Sequence, residues 1–158
     1  MESSSSVNLL FTPTKIVEAS LTLSNQTVGS LSTYSFVVNN TNAVSAGSSL
    51  HIYFPSGFDV TGLTCTFDGA AATFTIVNTT YLNIEIPSNI AQYALAGRTF
   101  EVNGVTNLPS LRPSPSFALE LQASGLVLES LNNGVYARLT TLSHFSTLTV
   151  TPSTFVAG

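Results

Sequence analysis

Apolar residues recur at every second position through most of the chain. Tyr34, Phe36 and Val38 alternate with Ser35, Val37 and Asn39, and Leu50, Ile52 and Phe54 alternate with His51 and Tyr53. The same rhythm runs through Leu63, Cys65 and Phe67, then Phe74 and Ile76, then Leu82, Ile84 and Ile86. It resumes at Phe100 and Val102, at Phe117, Leu119 and Leu121, at Val135, Ala137 and Leu139, and at Leu148 and Val150. A period of two places one side-chain set on a dry face and the other in water, so each run predicts a half-buried strand. The abundant Thr, Val and Ile suit a pleated surface.

Turn signals separate the runs: Pro55-Ser56-Gly57, Asp68-Gly69, Asn103-Gly104, Asn107-Leu108-Pro109 and Asn132-Asn133-Gly134. Nine or ten short strands at such spacing predict an all-β antiparallel sandwich, not a parallel sheet. The one helix candidate is 89–95, with Ser88 as N-cap and Gly97 as stop, which allows one or two turns at a sandwich end. At 158 residues the chain can bury an ordinary core without disulfides or metals.

The exterior is unusual. The chain has four basic and eight acidic residues, against 22 Ser and 21 Thr. Between Ala19 and Val60 the one formal charge is Asp59. A hydroxyl-coated surface of this kind is associated with secreted β-proteins and adhesins. With a net charge of −4 and four scattered cations (Lys15, Arg98, Arg112, Arg138), nucleic acid is disfavoured as a partner, and so is an anionic membrane. A single cysteine excludes an intrachain disulfide. No apolar run reaches the length of a membrane span, and the polar, acidic start does not have the pattern of a signal peptide.

The two ends of the chain resemble each other. Glu2-Ser3 falls on Glu129-Ser130, Leu21-Thr22-Leu23-Ser24 on Leu148-Thr149-Val150-Thr151, and Thr27 on Thr154. The offset is 127 residues and rises to 129 at Gly29 and Gly158. A collinear match of this kind predicts a module of that size recurring head to tail. On this reading residues 1–19 close a preceding repeat or linker, 20–150 form the sandwich module, and 151–158 begin the next repeat. Ser20 to Ser24 and Thr147 to Thr151 become interchangeable edge strands, which predicts strand exchange between neighbouring repeats.

The stretches TYSFVVNN, SSLHIYFPSGF, LTCTFDG and FEVNGVTNLPSLRPSPSFALEL occur in that order. Together they resemble the tandem immunoglobulin-like modules of very large protist and bacterial surface proteins. The resemblance covers roughly residues 20–150 and its motifs are structural. It implies an Ig-like sandwich in an extracellular or cell-surface array, and names no ligand.

Candidate chemistry is thin. Cys65 shares its parity with Leu63 and Phe67, so it is expected in the core as a small apolar residue. His51 and His144 are too few for a zinc site, and His51 is expected on a sheet surface. Asp59, Asp68, Glu85, Glu101 and Glu120 lack the close spacing of a calcium loop, and Glu85 and Glu120 are expected to face solvent. Catalytic residues, cofactors and metal ligands are therefore all expected to be none. The sequons Asn25-Gln26-Thr27, Asn39-Asn40-Thr41 and Asn78-Thr79-Thr80 fall at predicted strand ends or turns, which makes Asn25, Asn39 and Asn78 candidate N-glycosylation sites. Tyr53, Tyr81 and Tyr93 are the candidate surface aromatics for a binding platform.

The expected function is a non-catalytic structural or adhesive module of a surface array or filament. Its expected partners are neighbouring repeats. The alternative is a sandwich that binds carbohydrate or another protein, and a small hydrolase would require carboxylates converging in a cleft.

Overall fold

The computed structural model describes residues 12–45, 47–89, 95 and 97–143. Within them the chain is all-β, as the alternation predicts, with eleven strands in two sheets. The strands are β1 (Thr14–Lys15), β2 (Glu18–Leu23), β3 (Leu31–Asn39), β4 (Ser49–Tyr53), β5 (Thr64–Phe67) and β6 (Ala70–Ala71). They continue with β7 (Phe74–Asn78), β8 (Tyr81–Glu85), β9 (Arg98–Thr106), β10 (Phe117–Ala123) and β11 (Leu126–Val135). One sheet has the order β1-β11-β10-β4-β8-β7 and the other β2-β3-β9-β5-β6. Every pairing between strands is antiparallel except β1 with β11, which is parallel.

The alternating apolar residues meet between the sheets. Phe36 and Val38 of β3, Leu50 and Ile52 of β4, Leu82 and Ile84 of β8, Phe100 and Val102 of β9, and Leu119 and Leu121 of β10 are all buried. At one end the rings of Tyr34, Phe36, Phe54, Phe58 and Phe117 pack edge-on or tilted, with centroids 5.0–6.3 Å apart. Such pairs add to the burial of the rings themselves. Cys65 lies in this core, as its parity predicts, and burial pushes its thiol pKa up to about 12.

Two predicted turns are not turns. Asn103-Gly104 lies inside β9, where the register slips between Ser32 and Tyr34 of β3. Asn132-Asn133-Gly134 lies inside β11, between the pairs Leu119↔Leu131 and Phe117↔Val135. Both glycines have positive φ. A bulge and a hairpin loop both call for that conformation, and the partner strand decides which forms. Asp68-Gly69, with φ of 47° and 78°, does form the expected tight turn between β5 and β6.

The sandwich also reaches upstream of the expected boundary at Ser20. Thr14 and Lys15 pair with Glu129 and Ser130, and Ile16 is 0% exposed in the common core. The segment Val135 to Leu139, expected as a strand, ends its ladder at Val135, although Ala137 and Leu139 remain buried. The predicted helical turn lies mostly outside the described residues, as do Leu148, Val150 and the segment 151–158.

Candidate binding face

Three adjacent strands, β10, β4 and β8, carry a group of polar and aromatic side chains on one outer surface. The register sets His51 of β4 beside Asn83 of β8 and Glu120 of β10, and Tyr53 beside Tyr81. These residues have the opposite parity to the core set, so they share the outer face of the six-stranded sheet.

The rings of Tyr53 and Tyr81 stack with centroids 4.3 Å apart and planes 6° from parallel. The Tyr53 hydroxyl donates to Oε2 of Glu120 at 3.0 Å, and Nε2 of Gln122 donates to the same oxygen at 2.8 Å. His51 hydrogen-bonds through Nδ1 to the Tyr81 hydroxyl and through Nε2 to the Ser49 hydroxyl at 2.8 Å. Six side chains thus form two linked clusters, held together by the ring stack.

Burial lowers the His51 pKa, and the nearby Glu120 charge opposes that shift. Burial also raises the Tyr53 pKa, with hydrogen bonds to Tyr81 and Glu120 acting in the same direction. His51 is only 8% exposed, against the expectation of an open surface position. Flanking Tyr81 and Ser49 side chains lie against the imidazole and remove it from water. Glu120, expected to face solvent, is half-buried for a related reason, since Tyr53 and Gln122 converge on it. Glu85 is exposed as expected.

Of the three candidate tyrosines, Tyr53 and Tyr81 are brought together and Tyr93 lies outside the described residues. His144 lies outside them too. The other carboxylates are dispersed among partners of their own. Glu101 accepts hydroxyls of Ser35 and Thr66 on the opposite sheet. Asp68 accepts from Arg98 at 2.6 Å and from the Thr99 amide, while Asp59 accepts the Thr61 amide, which lowers its pKa. Among the described residues no group of three His, Cys, Asp or Glu side chains gathers as metal ligands would.

The sequence reading missed one acid. Glu129 is 0% exposed, and its carboxylate accepts the Thr41 amide at 3.0 Å, the Asn42 amide at 2.7 Å and Asn42 Nδ2 at 2.9 Å. It sits opposite Leu121 and shares its face with Leu131, which packs against the core. A carboxylate at an inward parity was the available signal. Asn107 is the second buried polar clasp: its Nδ2 donates to the carbonyls of Asn25 and Thr27, and its Oδ1 accepts the Tyr34 hydroxyl.

Comparison with protein-family models finds no match, and no curated protein compared with the chain matches it. Among solved structures, the chain is similar to one described as the crystal structure of BslA, a bacterial hydrophobin. The identity is 19% and the TM-score 0.46, over 75% of this chain and 99% of that one.

Proposed function

We propose that this chain is a non-catalytic structural or adhesive module, Ig-like in type, of an extracellular array in which sandwiches follow one another head to tail. The observation that supports this most is the path of the chain through the fold. Thr14 lies beside Asn42 and Leu128, just past the Asn39 end of β3. Thr141 lies beside Thr27 and Val28, near the Leu31 end of β3. The nine residues of β3 span roughly 30 Å at about 3.3 Å per residue. The described chain therefore begins near one pole of the sandwich and ends near the other, which suits an in-line array. The match between the two ends at an offset of 127 residues and the hydroxyl-rich exterior agree with this reading.

Strand exchange is part of the same proposal. β2 is the outer strand of its sheet. The Ser24 amide bonds to the Thr33 carbonyl, so the antiparallel alternation turns the backbone groups of Leu21 and Leu23 away from β3. A groove of about 370 Å³ separates this edge from Gly134 to Arg138. Such an edge accepts a strand from another copy. The expected donor, Thr147 to Thr151, lies outside the described residues.

The array is tested with two copies fused at the repeat, Thr141 of the first standing for Thr14 of the second. Small-angle scattering should show a maximum dimension about twice that of one copy. A compact particle, or a second copy that does not fold, would count against the array.

A second reading, a module that binds carbohydrate, draws on the Tyr53–Tyr81 stack beside the Glu120 carboxylate. Binding on a glycan array that is lost in Tyr53→Ala would favour it over the purely structural role.

A further inference from the structure

We infer that Asn78, alone of the three sequon asparagines, is an N-glycan acceptor of this protein. Asn78 ends β7 and faces Tyr81 across the two-residue loop Thr79-Thr80. It is exposed, at the tip of the β7–β8 hairpin. Its side-chain Oδ1 accepts the Thr80 amide at 2.9 Å and the Thr80 hydroxyl at 3.3 Å. Asn and the sequon Thr are thus held in one turn, with the hydroxyl on the amide oxygen. Among the described residues Nδ2 has no acceptor, so it remains available.

The other two sequons are placed differently. Asn39 lies in β3, where Nδ2 donates to Glu18 Oε2 at 3.3 Å and Oδ1 accepts the Gly97 amide at 3.2 Å. A glycan on that nitrogen would stand against Glu18 and crowd β2. Asn25 is half-buried and held on several sides. Its Oδ1 accepts the Thr27 amide at 3.0 Å in a turn like that of Asn78, but its backbone is tied to Ser32 and Asn107, and Thr140 and Thr141 cross beside it on Gln26, so the site is packed where the Asn78 hairpin tip is open.

The chemistry is a glycosyl transfer from a polyprenyl-diphosphate-linked oligosaccharide. A bond forms between Nδ2 and the sugar anomeric carbon. The bond from that carbon to the diphosphate oxygen breaks, the diphosphate leaves with the electron pair, and Nδ2 gives up one proton. The glycan would stand at the end of β7, the outer strand of its sheet, where Val77 is exposed. A bulky solvated group there hinders edge-to-edge pairing of that sheet.

The test is secretion of the full chain from a eukaryotic host behind an added signal peptide. Intact mass is read before and after peptide N-glycanase, which converts the carrying Asn to Asp for peptide mapping. One glycan is expected, mapped to Asn78, lost in Asn78→Gln and Thr80→Val, and kept in Thr80→Ser, Asn25→Gln and Asn39→Gln. Circular dichroism of Asn78→Gln should match the wild type, which separates loss of the acceptor from loss of the fold. An unglycosylated secreted wild type, a glycan that survives Asn78→Gln, or a glycan mapped to Asn25 or Asn39 overturns the assignment. The array proposal shares none of these readouts, so either can fail without the other.

Discussion

The Tyr34 hydroxyl donates to Oδ1 of Asn107 at 2.8 Å inside the sandwich, across 73 residues of sequence. Both residues are buried, and burial raises the Tyr34 pKa. Asn107 in turn holds the carbonyls of Asn25 and Thr27. One side chain thus ties β3 and the loop after β9 to the segment that receives Thr141. Tyr34→Phe leaves the Asn107 acceptor dry and unpaired, and should cost about 1–3 kcal/mol. Asn107→Ala strands three partners and should cost more. Urea unfolding midpoints measure both, and a Tyr34→Phe protein as stable as the wild type would refute this account.

Glu129 does the corresponding work near the other pole. Its carboxylate takes two backbone amides and the Asn42 side chain, with no water-exposed surface of its own. Glu129→Ala should cost about 1–3 kcal/mol, the size of a lost hydrogen bond to a charged group, because Thr41 and Asn42 are exposed and water can reach their donors. Glu129→Gln should lie between that variant and the wild type, since one acceptor oxygen survives. The prediction is wrong if Glu129→Ala unfolds at the same denaturant concentration as the wild type.

His51 predicts a pH dependence. Its folded pKa lies below the ordinary value of 6.5, chiefly because it is buried. Between the folded and unfolded values the unfolded chain binds more protons, so stability falls as pH drops below about 6.5. The loss levels off once the pH is below the folded value. The groups facing the imidazole are Tyr81, Ser49 and Glu120, and the Glu120 charge reduces the effect. Thermal midpoints at pH 7.5 and 5.5 should differ less in His51→Gln than in the wild type. Equal differences would remove His51 as the cause.

Cys65 should be inert until the sandwich opens. Its thiol is buried and its pKa is pushed up to about 12, so almost no thiolate exists near neutral pH. Alkylation by iodoacetamide should be slow in buffer and rapid in denaturant. Rapid labelling of the folded protein would contradict the core placement.

The alternation of apolar and polar residues was enough to determine the class of fold, the faces of most strands and the burial of Cys65. Those features depend on local parity, which a linear pattern carries in full. Tertiary structure alone decided whether Asn103-Gly104 and Asn132-Gly134 would turn or bulge, because that depends on the partner strand's register. It also decided that Ile16 joins the core, that Tyr53 meets Tyr81, and that Glu129 finds donors 87 and 88 residues away. Contacts of that range are set by how two sheets close on each other, and no spacing along the chain encodes them. The same closure separates Asn78, exposed at a hairpin tip, from Asn25 and Asn39, which are half-buried.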